Sequence, residues 1–253
     1  MSPITQTYTN VSAQGYGLNK GAKGLDLGVV SGLQLYLDSS NTSSYTGSGN
    51  TWYDISGNGR NFTWYSTPSF NSSGVNSFNT LNNGSYGPAS NSFGITNSSG
   101  YTFFLGMYQN SLVSTSAFKW YTSSGGYGRG IFSHCTWSDS NVYFDQGGCC
   151  GSDTRTNGAL SNSTGTWHIV GFRCDGSSAR SIWIDGNNSY QNNSGVAAIN
   201  LGGTAANIGT SDEYGGSSST WNAKIANFVV YNRALSDTEM ATVWGKLRTK
   251  VGI

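Results

Sequence analysis

Residues 166–185 read TWHIVGFRCDGSSARSIWID. Two largely apolar runs, Thr166 to Cys174 and Arg180 to Asp185, flank the polar turn DGSSA, which is the pattern of a β-hairpin. Asp185-Gly-Asn-Asn then makes a further turn. Toward the C-terminus, residues 223–231 (AKIANFVVY) form a strand whose second half is almost wholly apolar. A helix follows. Ser236 and Glu239 are spaced as an S-x-x-E capping box. Met240, Val243, Trp244 and Leu247 fall at i, i+3, i+4 and i+7 and make one apolar stripe. Lys246, Arg248 and Lys250 sit near the carbonyl end, where the helix dipole favours cations.

Toward the N-terminus, YTFFLGMY (101–108) is an aromatic strand, and Gly130-Ile-Phe-Ser-His and Val142-Tyr-Phe-Asp are two short strands around a polar turn. Leu33, Leu35 and Leu37 alternate with Gln34 and Tyr36 and end on Asp38, a period-2 strand. In Asp54-Ile-Ser-Gly-Asn-Gly, two glycines and an Asn supply positive φ for a tight turn. Residues 66–99 read as short strands with long loops. About ten strands and one terminal helix, spaced by turns, define an all-β, two-sheet antiparallel sandwich. Residues 1–30 are polar and lack periodicity, so they are read as an extended arm, with the folded domain at 31–253.

Gly, Ser, Thr and Asn supply half of the 253 residues, and charged residues only 10%, against roughly 25% in average domains. That excludes coiled coils and charged disordered tails. The 13% of aromatic residues can fill a sizeable core, so the Gly/Ser excess does not signal disorder. A net charge of +1, with no clustered Lys or Arg, excludes nucleic acid as a partner. No stretch reaches the ~18 apolar residues of a membrane span. The opening MSPITQTYTNVSAQGYGLNK shows no basic and apolar leader, so no secretion signal is expected.

Four stretches in order resemble the laminin-G-like, concanavalin A-like jelly-roll family: GLQLYLDSSNTSSY, TWYDISGNGRNFT, TWHIVGFRCDGSSARSIWIDGN, and IANFVVYNRALSDTEMATVWGKLRTKVGI. The resemblance spans about residues 32–253 and is weakest over 66–165. The D-x-S-G-N-G turn together with the YNRALS close looks like versions in structural proteins of tailed phages and large DNA viruses. The motifs themselves imply structure. Trp167, Ile169, Trp183 and Ile184 fill or flank the core. Asn232-Arg233-Ala234-Leu235 turns the chain out of the last strand, and the helix is expected to cover one open end of the sandwich.

Glycanases of related fold carry paired carboxylates on one strand, because residues i and i+2 point the same way. Here Glu213 and Glu239 are the only glutamates, and no E-x-D-x-E or D-x-D spacing occurs. His134 and His168 are the only bases for a Ser/His/Asp arrangement, and no G-x-S-x-G elbow is present. The chain is therefore read as non-enzymatic. His134 and Cys135 lack a C-x-x-C partner pair for zinc. Cys135, Cys149, Cys150 and Cys174 allow three pairings. A bond from Cys135 to Cys149 or Cys150, with Cys174 joined to the other, stands against free buried thiols. No cofactor is expected. Calcium stays open: some laminin-G-like domains hold it on a rim, and Asp139, Asp145, Asp153 and Asp212 lie in or near loops, though not in a D-x-D-x-D run. Asp54 is expected to cap its own turn instead.

The expected function is a virion structural protein, as decoration, fibre or minor capsid subunit, exposed on the particle surface. Its partners would be other virion proteins or copies of itself, and surface glycans. The alternative is a secreted or cell-surface carbohydrate-binding lectin module. A glycan site would use loop aromatics for stacking and Asp for hydroxyls. The loop CTWSDSN offers Trp137 and Asp139, and SDEYGGSSSTW offers Asp212, Tyr214 and Trp221. The competing expectation is that Trp221 packs under its loop and Trp137 covers Cys135.

Overall fold

A computed structural model describes residues 25–89, 93–96, 99–120, 130–148, 150–199, 205–209 and 220–253. After a 3-10 turn at Leu25–Leu27 the strands in chain order are β1 Leu33–Asp38, β2 Thr51–Trp52, β3 Phe62–Trp64, β4 Ser69–Asn71, β5 Ser77–Asn79, β6 Ser85–Ala89, β7 Tyr101–Gln109 and β8 Phe118–Trp120. They continue with β9 Ile131–His134, β10 Asn141–Gln146, β11 Arg155–Ala159, β12 Trp167–Cys174, β13 Arg180–Ile184, β14 Asn187–Asn192, β15 Ala205–Ile208 and β16 Ala223–Tyr231, and helix α1 covers Asp237–Val251. Two eight-stranded sheets form. The first runs β14-β13-β12-β7-β16-β5-β4, with β1 also on β16, and the second runs β11-β10-β9-β8-β15-β6-β3-β2. Every pairing is antiparallel, including the β12–β13 hairpin, where Val170 faces Ile184 and Cys174 faces Arg180. The expected antiparallel sandwich with a C-terminal helix is what the chain forms.

The core has two layers. Between the sheets lie Trp52, Trp64, Phe103, Phe118, Trp120, Phe228 and Val230, among others. A second layer, with Tyr36, Phe104, Ile169, Trp183, Val229 and Tyr231, lies between the first sheet and α1. The run FVVY of β16 explains this. Phe228 and Val230 point into the sandwich while Val229 and Tyr231 point to the helix. An unbroken apolar strand is one buried on both faces.

This corrects the expected seat of the helix. It covers the outer face of the first sheet, not an open end of the sandwich. Its buried residues are Met240, Val243, Leu247 and Val251. Trp244 is only half-buried and lies over the β13–β14 turn. Gly186 there has φ +87, and an added Cβ would stand 2.7 Å from the Trp244 ring. The Ser236 capping box forms as expected, and Gly252 ends the helix in the left-handed conformation. Residues 25–30, assigned to the arm by sequence, belong to the folded unit, since Leu27 and Val29 are buried in the helix-side layer. Residues 1–24 lie outside the described residues. Among the described residues no helix is long and apolar enough to cross a membrane.

The family-like motifs act as joints of this layer. Asp54 accepts hydrogen bonds from the backbone N–H of Tyr36 (3.0 Å), Ser56 (2.8 Å) and Arg60 (3.0 Å), so it ties its own turn to β1. In the Trp-His strand, His168 Nδ1 is 2.8 Å from Asp185 and Nε2 is 3.1 Å from the Asn162 carbonyl. Both nitrogens face acceptors, which only the protonated ring satisfies. Burial opposes the charge, but Asp185 and Asn162 outweigh it and raise the His168 pKa above its ordinary value. Arg233 of YNRALS makes a two-point pair with Glu239 (2.6 and 2.9 Å), which joins the turn to the capped helix.

Candidate functional site

The outer face of the second sheet is left to other uses. In β10, Val142 and Phe144 enter the core, so Tyr143 and Asp145 point the opposite way. Register then sets their neighbours. Tyr143 faces His134 on β9 and Asn157 on β11, while Asp145 faces Phe132 and Arg155. Arg155 grips Asp145 with two bonds of 2.6 Å and its guanidinium lies 4.4 Å from the Tyr143 ring centre. Burial alone would raise the Asp145 pKa, but Arg155 outweighs it and holds the carboxyl below its ordinary value.

The β9–β10 connection closes tightly, with the Trp137 N–H donating to the Asn141 carbonyl (2.9 Å) and Ser140 N–H to the Trp137 carbonyl (3.0 Å). Trp137 is half-buried and meets His134 edge-on at 4.6 Å. His134 also lies 5.9 Å from Tyr143. Exposed Asp139 accepts from the Asn141 backbone (3.0 Å) and side chain (2.9 Å), and from the Tyr143 hydroxyl. Slight burial would raise its pKa, but these bonds prevail and lower it. The result is a partly exposed Trp137 ring and an exposed, hydrogen-bonded Asp139 carboxylate on one connection.

Trp137 and Asp139 thus share the β9–β10 connection. Trp221 does not join them. It is fully buried in the inter-sheet core, so it has no surface to give a ligand, and its expected rim role is corrected. Asp212 and Tyr214 lie outside the described residues. The disulfide expectation is corrected too: Cys135 and Cys174 are free and buried, packed in the inter-sheet core. Burial raises both thiols, Cys174 to about 11. Cys150 is disulfide-bonded, and Cys149 lies outside the described residues. Among the described residues no three His, Cys, Asp or Glu side chains gather to hold a metal. Asp145 is taken by Arg155, and Asp153 is on an exposed loop.

His134 also approaches Ser116 Oγ (3.2 Å, Nδ1) and Asp145 (3.6 Å, Nε2). This does not make a nucleophile. Ser116 is 3% exposed, and 3.6 Å is too long for the hydrogen bond that orients a catalytic base. The parts that sequence reasoning missed are His134 as the support of Trp137, with Tyr143 and Arg155 beside it. The alternation in NVYFDQ places Tyr143 and Asp145 on one face, but only register joins them to β9 and β11.

The two antiparallel sheets and the helix behind the first make a lectin-like sandwich fold. The laminin-G family model described as "Concanavalin A-like lectin/glucanases superfamily" matches residues 81–241, more than half the chain, and the chain belongs to that superfamily. No curated protein matches it. Among solved structures it is similar to Trypanosoma rangeli sialidase (TM-score 0.62, 16% identity, 87% of this chain and 33% of that one). It is similar too to the binding domain of botulinum neurotoxin DC in complex with SialylT (TM-score 0.61, 14% identity, 86% and 52%). A third is the binding domain of Paraclostridial mosquitocidal protein 1 (TM-score 0.61, 14% identity, 85% and 52%). The chain thus spans about a third of the sialidase and about half of each toxin domain. At these identities the likeness shows the fold.

Proposed function

We propose that this chain is a non-enzymatic glycan-recognition domain whose contact surface is the rim at Trp137 and Asp139. The observation that carries the reading is the partly exposed Trp137 ring, braced by His134 on the same connection as the exposed Asp139 carboxylate. Aromatic faces stack on the C–H face of a sugar while fixed acceptors take its hydroxyls. The botulinum neurotoxin DC binding domain, of similar fold, is known in complex with SialylT, which supports sugar as the ligand class. In this reading no metal takes part. A glycan array with the parent chain, Trp137→Ala and Asp139→Ala tests it. Loss of at least tenfold in signal for both variants is expected, with EDTA leaving the parent profile unchanged. Identical profiles for all three, or no sugar bound, would refute it. Loss on EDTA treatment would instead favour a bound calcium.

The setting we propose is a virion surface, with the sandwich as decoration, fibre or minor capsid subunit contacting virion proteins or its own copies. That reading rests on the D-x-S-G-N-G turn and YNRALS close. Mass spectrometry of purified virions against the host secretome tests it; recovery only in the secretome would point to an extracellular lectin module.

A further inference from the structure

At the margin of the layer under α1, one outward row of the first sheet is aromatic and cationic together. Register aligns Trp167 on β12, Tyr108 on β7, Lys224 on β16 and Asn79 on β5. The strand neighbours Met107, Ile225 and Phe78 enter the inter-sheet core, so Tyr108, Lys224 and Asn79 point outward. Trp167 packs against the edge of the helix-side layer, and all four are half-buried. The Trp167 and Tyr108 ring centres are 5.7 Å apart, and Lys224 Nζ stands 4.6 Å from the Tyr108 ring centre. Lys224 is the one residue of β16 that is not buried. It joins none of the ion pairs among the described residues. A cation–π contact at an exposed site adds only about 0.5–1 kcal/mol, a small return for a lysine in an otherwise buried central strand.

One row further in, Asn227 faces Gly106. Asn227 is fully buried, and neither its Nδ2 nor its Oδ1 has a hydrogen-bond partner. A Cβ on Gly106 would collide with that Oδ1, so the amide lies over Gly106, on the face and strand that carry Tyr108. Buried polar groups are normally paired. This end of the face thus holds an ammonium without a carboxylate and an amide without a hydrogen bond.

We infer that Trp167, Tyr108 and Lys224 form a site for an acidic pyranose, separate from the Trp137 rim. The inference rests on sugar as the ligand class of the proposed function and adds a second place and a charge. Lys224 sets the choice of ligand: its ammonium is a compact point charge, held against the Tyr108 ring, and it takes the anionic group of the sugar. The Trp167 and Tyr108 rings supply the apolar wall on which the pyranose lies. From β12 to β16 the site spans two strand spacings, about 10 Å. The rim belongs to the other sheet, so the two sites act independently.

The test uses the full chain on an array of carboxylated, sulfated and neutral versions of the same glycans, with the parent, Lys224→Met, Lys224→Arg and Trp137→Ala. The Trp167 indole N–H signal of the parent is followed by NMR with the best-bound acidic sugar. The parent should bind acidic versions at least tenfold better than neutral ones, and the Trp167 signal should move. Lys224→Met should lose the preference, while Lys224→Arg and Trp137→Ala should keep it. Binding of the carboxylated or of the sulfated version identifies the anion. Acidic and neutral versions bound alike, or a preference that survives Lys224→Met, would overturn the inference. So would a loss in both Lys224 variants with an unmoved Trp167 signal. A preference lost only with Trp137→Ala would overturn it too and leave the rim reading standing. Sugar binding lost with Lys224→Met and untouched throughout by Trp137→Ala would support the inference and remove the rim. An array silent for the parent would overturn both.

Discussion

The two outer faces of this sandwich are built from opposite materials. On the first sheet the outward residues are Tyr36, Phe104, Ile169, Trp183, Val229 and Tyr231, sealed beneath α1 and residues 25–29. On the second they are Tyr86, Asn207, Lys119, Phe132, His134, Tyr143, Asp145 and Arg155. The motifs that carry the family resemblance serve the sealed side: Asp54 binds β1, Asp185 fixes His168, and Arg233 locks the helix cap. They are joints, and so they say little about activity. In the proposed reading recognition falls to the other face, which no short motif marks.

The contrast can be broken by mutation. The largest effect should come from Leu247→Ala, which removes a fully buried side chain under the helix and should cost about 2–5 kcal/mol, read as a fall in the urea midpoint. Gly186→Ala should cost about 2 kcal/mol, because it puts a Cβ both into the left-handed region and against the Trp244 ring. Ser236→Ala removes the capping oxygen and should cost about 1 kcal/mol by the same assay.

A pH series sharpens the contrast further. The His168 pKa is raised in the folded chain above its ordinary 6.5. Its contribution is therefore complete below 6.5 and fades as pH rises through the higher folded value. His168→Gln should flatten that alkaline decline in stability; an unchanged slope would show that Asp185 does not hold the charge. The smallest effect belongs to the second face. Tyr86→Ala should shift stability by less than about 1 kcal/mol. A loss matching Leu247→Ala would mean that both faces are structural.

Much of the sealed side was legible in the chain. The 166–185 hairpin, the S-x-x-E cap and the two-sided apolar run FVVY each report a local pattern that the fold keeps. The seat of α1 was not legible, because an amphipathic stripe says that a face is covered without saying by what. Trp244 shows the limit: it shares the stripe with Leu247 yet lies at its edge over Gly186. On the second face Trp137 and Asp139 could be read, since they share one short loop. His134, Tyr143 and Arg155 meet them only through the pairing of three strands. Trp221 misled for the same reason: a loop-flanking aromatic in sequence sits in the core once β16 is placed.

The helix-side layer also decides how the domain is presented. Leu27 and Val251 pack in the same layer, and Lys250 bridges Asp26 (3.0 Å) and Asp38 (2.7 Å). The chain thus enters the described fold and leaves it behind the first sheet. Anything fused or anchored at residue 25 or at Ile253 pulls from that rear side. The outer face of the second sheet lies on the other side of the sandwich from both points.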